Sequence, residues 1–304
     1  MLRASGAPPV AGKARSSVMR AIPLVVLACA FAARAQNKAT DPGAPWPVSV
    51  DLPRATSMGG AHAAIATSND ALTVNPAGLA QLRRYHLEVD GLTDPRFPAQ
   101  ALMVSIVDSM SSPVATGLLF SRWGSGQPGG RGEGWYGGLA YSYGIGSTYL
   151  GGMTKYYRFA TPDGEAHRFA QDFGLLSKRG NFGYALVVQN ISTSSIPAFP
   201  ITAAAAIAWG NDTDWHISFD YKADLSDTKN VKSKIAGGGE LLIEQVMALR
   251  SGATFDATRE LWWISAGVAL LTERGGVQIV WRRRVAGAPG FDQFFEGGIT
   301  LYLE

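Results

Sequence analysis

From Tyr85 to the end of the chain, apolar and polar positions alternate with a period of two, which predicts strands with two unlike faces. Fourteen strands follow, at about 85–93, 99–108, 114–123, 134–144, 148–159, 168–177, 181–189, 200–210, 214–222, 232–243, 246–256, 261–271, 276–284 and 293–303. Most run nine to twelve residues, the length a tilted strand needs to cross a bilayer. The pattern is clearest in the C-terminal half. Trp215, Ile217, Phe219 and Tyr221 alternate with His216, Ser218, Asp220 and Lys222; Met247, Leu249, Ala253 and Phe255 alternate with Arg250, Gly252, Thr254 and Asp256. Lipid outside a polar lumen produces this alternation, and so does the apolar core of a β-sandwich. Alternation alone does not say which face points where.

The connections separate the two architectures. Tight turns at Lys178-Arg179-Gly180 and Asn211-Asp212-Thr213 follow even-numbered strands, whereas the longer connections at 124–133, 161–167, 191–199, 223–231 and 285–292 follow odd-numbered ones. Short periplasmic turns opposite longer outer loops, with an even strand count, are the asymmetry of an outer-membrane barrel. After the N-terminal segment no apolar run reaches about 18 residues, so a barrel is the spanning structure left. The expected fold is all-β: an antiparallel transmembrane barrel of about fourteen strands with an N-terminal plug.

The N-terminus reads as targeting sequence. Arg15 and Arg20 precede an apolar run from Ile22 to Phe31, and Ala33-Arg34-Ala35 is a small-x-small cleavage signal, so residues 1–35 are assigned to a signal peptide. The stretch before Met19 is long for such a segment, which points to translation starting at Met19. Cys29, the single cysteine, leaves with the signal; Leu27 is a poor fit to a lipoprotein site there. The mature chain then needs no disulfide. Removing the five basic residues of the signal leaves 22 of the 27 Lys and Arg against 24 Asp and Glu, a net charge of −2. Charge therefore gives no case for nucleic-acid binding. Residues 36–54, with four prolines, read as an extended leader, 55–82 as the plug and 85–304 as the barrel. Within 55–82, Asn69-Asp70 could cap a short helix from Ala71 that Pro76 interrupts. Gly60 to Ala66 fits either a short helix or a tight extended run.

No catalytic set is present. His62, His86, His167 and His216 are scattered, without ligand spacing or a cysteine partner, and no G-x-S-x-G elbow occurs. We therefore expect neither an enzyme, nor a metal, nor a cofactor. His86, Glu88 and Asp90 share one face of the first strand, read as a solvated lumen face. Gly237-Gly238-Gly239 lies within a strand and marks a bend or a close approach of the plug. Lys234, Glu240, Arg250, Asp256, Arg282 and Glu296 fall on inward positions and are expected to form an ion-pair network; a substrate-guiding ladder is the alternative. Aromatics near the strand ends, Trp123, Tyr136, Tyr141, Tyr157, Trp209, Trp262 and Phe294 among them, read as interfacial girdles, with a ligand cage as the second reading.

The stretch Ser57-Met-Gly-Gly-Ala-His, closing on Asn75-Pro76-Ala77-Gly78-Leu79-Ala80, resembles the plug of FadL/TodX-type outer-membrane barrels, and equally that of the related PorV-type proteins. Gly183 to Ile191 also resembles a mid-barrel strand of the PorV group. The plug motif is then Gly59, Gly60, Asn75, Pro76, Ala77 and Gly78. The FadL-type resemblance implies a bacterial outer-membrane channel that passes small hydrophobic compounds when its plug moves, with outer-membrane lipid and small apolar ligands as partners. The PorV-type resemblance implies a non-transporting barrel that docks or shuttles a secreted or envelope protein. The chain is shorter than the fatty-acid transporters, lacks their long outer loops, and ends on Glu304 where many barrels end on an aromatic residue.

Overall fold

The computed structural model describes residues 51–303, apart from 95, 96, 125–132, 162, 163, 192–198, 228, 230, 258, 259 and 288–292. The expected signal peptide, Cys29 and all but the last four residues of the leader lie outside the described residues. Fourteen strands are present: β1 Tyr85–Asp94, β2 Phe97–Asp108, β3 Val114–Gly124, β4 Gly134–Ile145, β5 Thr148–Thr161, β6 Gly164–Arg179, β7 Phe182–Ile191, β8 Thr202–Asn211, β9 Trp215–Asp224, β10 Lys232–Ile243, β11 Met247–Asp256, β12 Leu261–Thr272, β13 Gly275–Ala286 and β14 Gln293–Leu303. Each pairs with the next in antiparallel register, and β1 pairs with β14 from Tyr85↔Leu303 to Thr93↔Phe295, closing the barrel.

Burial decides which face is which. Leu102, Ile106, Leu118, Leu139, Leu186, Ile207, Phe219 and Ile279 are exposed on the outer surface, while Ser105, Ser121, Ser142, Asp172, Ser218, Glu240 and Arg250 are buried within. A soluble sandwich would show the reverse. An apolar outer belt of this extent is a surface for lipid. One connection departs from expectation. The segment 161–167 is not a loop, because β5 extends to Thr161 and β6 begins at Gly164, their ends paired as Thr161↔Gly164.

Residues 51–82 lie inside the barrel. Pro53–Ser57 forms a one-turn helix, α1, started by Pro53, whose fixed φ and missing N–H suit a first helical position. The turn is closed by Gly59 (φ +71°) and Gly60 (φ +84°), with the Gly60 N–H on the Ala55 carbonyl at 2.8 Å. Residues 60–66 form turns, not a helix. A 3-10 turn at Ser68–Asp70 leads into α2, Ala71–Val74, and a 3-10 run covers Pro76–Gln81. Asp70 does not cap α2: it is itself helical in φ/ψ and makes no capping hydrogen bond. The cap belongs instead to Asn75, whose side-chain oxygen accepts from the Ala77 N–H at 3.1 Å. α1 packs on β11–β14, and Pro76–Gln81 on β3–β6, so the segment crosses the lumen. Leu52, Ala55, Met58, Ala64, Ala77 and Leu79 are fully buried. Residues 51–54, expected to belong to an extended leader, are thus part of this packing.

The wall is contoured to this segment by glycines. Gly238 and Gly252 lie directly against the Met58 backbone, Gly151 against the backbone of Pro76 and Ala77, and Gly183 against the Ala64 carbonyl. At each a β-carbon would overlap backbone atoms. Gly238 is the centre of the Gly237-Gly238-Gly239 run, so absence of a side chain there allows close approach.

Candidate functional site

The inner segment is held by side chains that reach in from eight strands, β1 included, where His86 Nδ1 meets Ser68 Oγ. The Ser105 hydroxyl of β2 accepts from Asn69 Nδ2 at 2.7 Å, and the Ser142 hydroxyl of β4 donates to the Ala77 carbonyl at 2.7 Å. Gln189 of β7 donates to the Thr73 carbonyl at 2.9 Å, and Asp220 of β9 accepts from the His62 and Ala63 N–H groups at 3.2 and 3.0 Å. Thr254 of β11 and Ser265 of β12 donate to the carbonyls of Gly59 and Ser57. All but the Ser68 and Asn69 contacts meet backbone groups of the segment's irregular turns that have no place in a regular ladder.

The strongest tie is ionic. Arg54 Nε and Nη2 donate to the two oxygens of Glu240 on β10 at 3.0 and 2.7 Å. Glu240 also accepts from Arg250 Nε of β11 at 2.6 Å and contacts His216 Nδ1 of β9 at 3.2 Å. His216 Nε2 lies 3.2 Å from Asp212, which in turn meets Lys178 Nζ at 2.9 Å. On the other side of Arg54, Asp70 stands 3.8 Å away, with His62 Nε2 3.5 Å from Asp70. A continuous chain of charged and polar groups thus runs from the rim turn at Asp212 to the interior of the segment. The His62 ring is wholly buried and has no hydrogen-bond partner among the described residues. Burial holds its pKa below the ordinary value, against the pull of Asp70. Burial would raise the Asp70 carboxyl, but His62 and Arg54 outweigh it and hold it below the ordinary value.

The residues expected to matter fall into distinct places. Asn75, fully buried, donates to the Ala63 carbonyl at 3.0 Å besides capping the next turn, and thereby ties two turns of the segment together. Pro76 and Ala77 meet β5 at Gly151, and Gly78 lies against the Ala66 carbonyl with no room for a β-carbon. Of the six lumen charges, Glu240 and Arg250 pair, and Lys234 pairs with Asp256 at 3.2 Å. Arg282 and Glu296 join neither pair. Arg282 sits over the Trp263 and Phe294 rings, with Nη2 donating to Thr254 at 3.3 Å, while neither Glu296 oxygen has a hydrogen-bond partner among the described residues. Four of these residues, Glu240, Arg250, Asp256 and Glu296, are buried. His86, Glu88 and Asp90 do share the inner face of β1, but they are buried at 5%, 5% and 0% exposure, not solvated. No group of three or more His, Cys, Asp or Glu among the described residues is arranged to hold a metal ion.

The aromatic girdle is also divided. Tyr141, Tyr143, Trp209, Tyr221 and Phe295 are exposed on the outer surface. Trp123, Tyr136, Tyr157 and Phe294 instead point inward and are buried, in one cluster with Leu92, Met103, Leu119 and Leu52. Arg54 and this inward cluster were missed from sequence. A signal for the first existed: Arg54 is the only Lys or Arg between Lys38 and Arg83.

Solved structures share this architecture. The toluene transporter TbuX of Ralstonia pickettii superposes with a TM-score of 0.58 at 10% identity, over 84% of this chain and 98% of that one. The toluene transporter TodX of P. putida gives 0.55 at 11% identity, over 84% and 97%. A bacterial polysaccharide outer-membrane secretin gives 0.53 at 8% identity, over 73% and 99%. No family profile and no curated relative matches the sequence. The likeness is one of fold: the chain shares the closed antiparallel barrel architecture of these outer-membrane proteins.

Proposed function

We propose that the protein is a passive channel of the bacterial outer membrane for small hydrophobic compounds, closed by residues 51–82 acting as a plug and opened by their displacement. The observation that carries this reading is the inner segment itself. It crosses the lumen of an otherwise closed barrel, held by apolar packing, individual polar contacts and one ionic clamp, and among the described residues it pairs with no strand of the wall. Such an attachment is reversible without breaking the barrel's ladder. The apolar, aromatic inner wall beside the plug suits hydrophobic solutes. The toluene transporters of like fold support the same substrate range. On this reading the chain termini face the periplasm, the longer connections face outward, and Asn75 is a pivot of plug movement.

The test is uptake. Purified protein in liposomes should admit a small apolar solute, and Asn75→Ala should change the rate while the barrel stays folded. An unaltered rate in a preparation that transports would remove the gating role from Asn75. A second reading is favoured by short outward connections, since β1–β2 and β5–β6 join through two residues each: a barrel that docks a secreted or envelope protein. Mild-detergent extraction from native membranes with mass spectrometry separates the two. Enriched apolar molecules alone support the channel, and a near-stoichiometric protein companion supports docking.

A further inference from the structure

The inward aromatic cluster contains one ring that does not belong to the wall. Trp123 is on β3, Tyr136 on β4, and Tyr157 and Phe159 on β5, all on the inner face. Phe199 comes from the connection between β7 and β8, yet it is 6% exposed with its ring inside this group. Its centroid is 4.1 Å from Tyr157, 5.3 Å from Phe159 and 6.2 Å from Trp123, the last two in edge-on geometry. The Phe159 and Trp123 contacts have the separation and edge-on orientation of favourable aromatic pairs.

The ring is held there from outside the cage. The Asn190 side chain donates to the Pro200 carbonyl at 3.1 Å, and the Ile201 N–H donates to Ser226 Oγ at 3.0 Å. Asn190 is fixed in turn: Lys155 Nζ and the Tyr157 hydroxyl both donate to its side-chain oxygen, at 2.7 and 3.0 Å, and its own N–H donates to Asp172. It adopts a left-handed backbone with φ +59°, next to the irregularity in the β6–β7 pairing at residues 171–173. A non-glycine residue takes that conformation at a cost, and asparagine is among those that tolerate it best. The anchoring contacts are polar and lie beside the cage, so the Phe199 ring can leave its three aromatic neighbours while the wall stays paired.

We propose that this cage is a ligand site and that Phe199 is its internal occupant, a specificity-determining residue that a ligand displaces. The proposal rests on the channel reading and narrows it. A cage filled by one phenyl ring receives an apolar ligand of about that size when the ring withdraws, and rejects larger ones. While Phe199 is seated, the binding-competent fraction of the protein is small, and apparent affinity is lowered by that fraction.

The experiment is calorimetric titration of detergent-solubilised full-length protein with toluene as the single-ring probe and pyrene as the oversized one. Phe199→Ala should tighten toluene binding at least tenfold over wild type, and Phe199→Trp should abolish it. Adding Tyr157→Leu to Phe199→Ala should remove the gain. Phe295→Ala, on the outer surface, should leave affinity unchanged. Phe199→Leu serves if the alanine variant fails to fold. Unchanged toluene affinity in a folded Phe199 variant would overturn the proposal, as would an equal gain in Phe295→Ala or equal binding of pyrene. Because the readout is binding without transport, an inactive channel whose cage still gains affinity refutes the channel reading alone.

Discussion

The ionic clamp makes the most discriminating prediction. Arg54 is the cation of the inner segment that meets the wall carboxylate Glu240, through two oxygens at 2.7 and 3.0 Å. Glu240 is 1% exposed at its side chain, and Arg54 is 19% exposed. The two sides of the pair are not equivalent. Without Arg54, Glu240 keeps Arg250 at 2.6 Å and His216 at 3.2 Å, so Arg54→Ala should cost about 1.5–3 kcal/mol, the range for hydrogen bonds to charged groups. Without the charge of Glu240, Arg54 and Arg250 face each other beside a histidine with no carboxylate between them. Glu240→Gln should then cost about 3–5 kcal/mol, as for breaking a buried pair. The two losses should also differ in place. Arg54→Ala acts on the plug, raising its opening constant by roughly 10- to 150-fold, since about 1.4 kcal/mol is a factor of ten. Glu240→Gln acts on the plug and on the β9–β11 wall. Hydrogen exchange resolved by segment reads both. In Arg54→Ala, protection should fall across 52–82 while β9–β11 keep theirs; in Glu240→Gln it should fall in both. Unchanged protection of 52–82 in Arg54→Ala would refute the clamp.

Three further outcomes follow from the same geometry. Gly238→Ala places a β-carbon on the Met58 backbone, so it should expel α1 and raise solute passage through a barrel that still folds; passage no greater than wild type in liposome swelling would contradict the fit. Plug seating should weaken on acidification. His62 in the seated plug titrates below its ordinary value of 6.5, so below about pH 6.5 the released segment binds a proton that the seated one does not. Protection of 52–82 should fall from pH 7.5 to 5.5, and His62→Gln should flatten that dependence. Glu296 is 1% exposed and has no hydrogen-bond partner among the described residues, so Glu296→Leu, which removes both unpartnered oxygens, should stabilise the barrel by about 1–3 kcal/mol, the cost of an unsatisfied buried group, read as a higher unfolding temperature in detergent.

The strands were legible in sequence because their two faces meet unlike surroundings, lipid and a polar lumen, and the period of two survives wherever that contrast is strong. All fourteen expected strands appear, with ends within four residues. The alternation failed where the contrast fails. Trp123 and Tyr157 are apolar on the inner face, so composition placed them with the outer girdle, and only tertiary packing shows otherwise. Arg54 looked like a solvated leader residue because its partner Glu240 is 186 residues away in sequence. The β5–β6 connection looked like a loop because polar residues such as Glu165 and His167 read as solvent-facing turn, although strands standing clear of lipid carry such residues equally well. Arg158 pairs there with Glu165 at 2.6 Å.

The seam between β1 and β14 joins the two ends of the barrel's own sequence, and the segment it encloses lies immediately N-terminal to β1. That order sets the assembly problem. The β1–β14 pairing has the largest sequence separation of any in the sheet, so its loop-closure entropy is met last. Residues 51–82 have their place against glycines on β5, β7, β10 and β11, which leave space for that backbone. Seating the segment while the seam is still open spares it passage into a finished barrel, so it can serve as a mandrel on which the wall is wound.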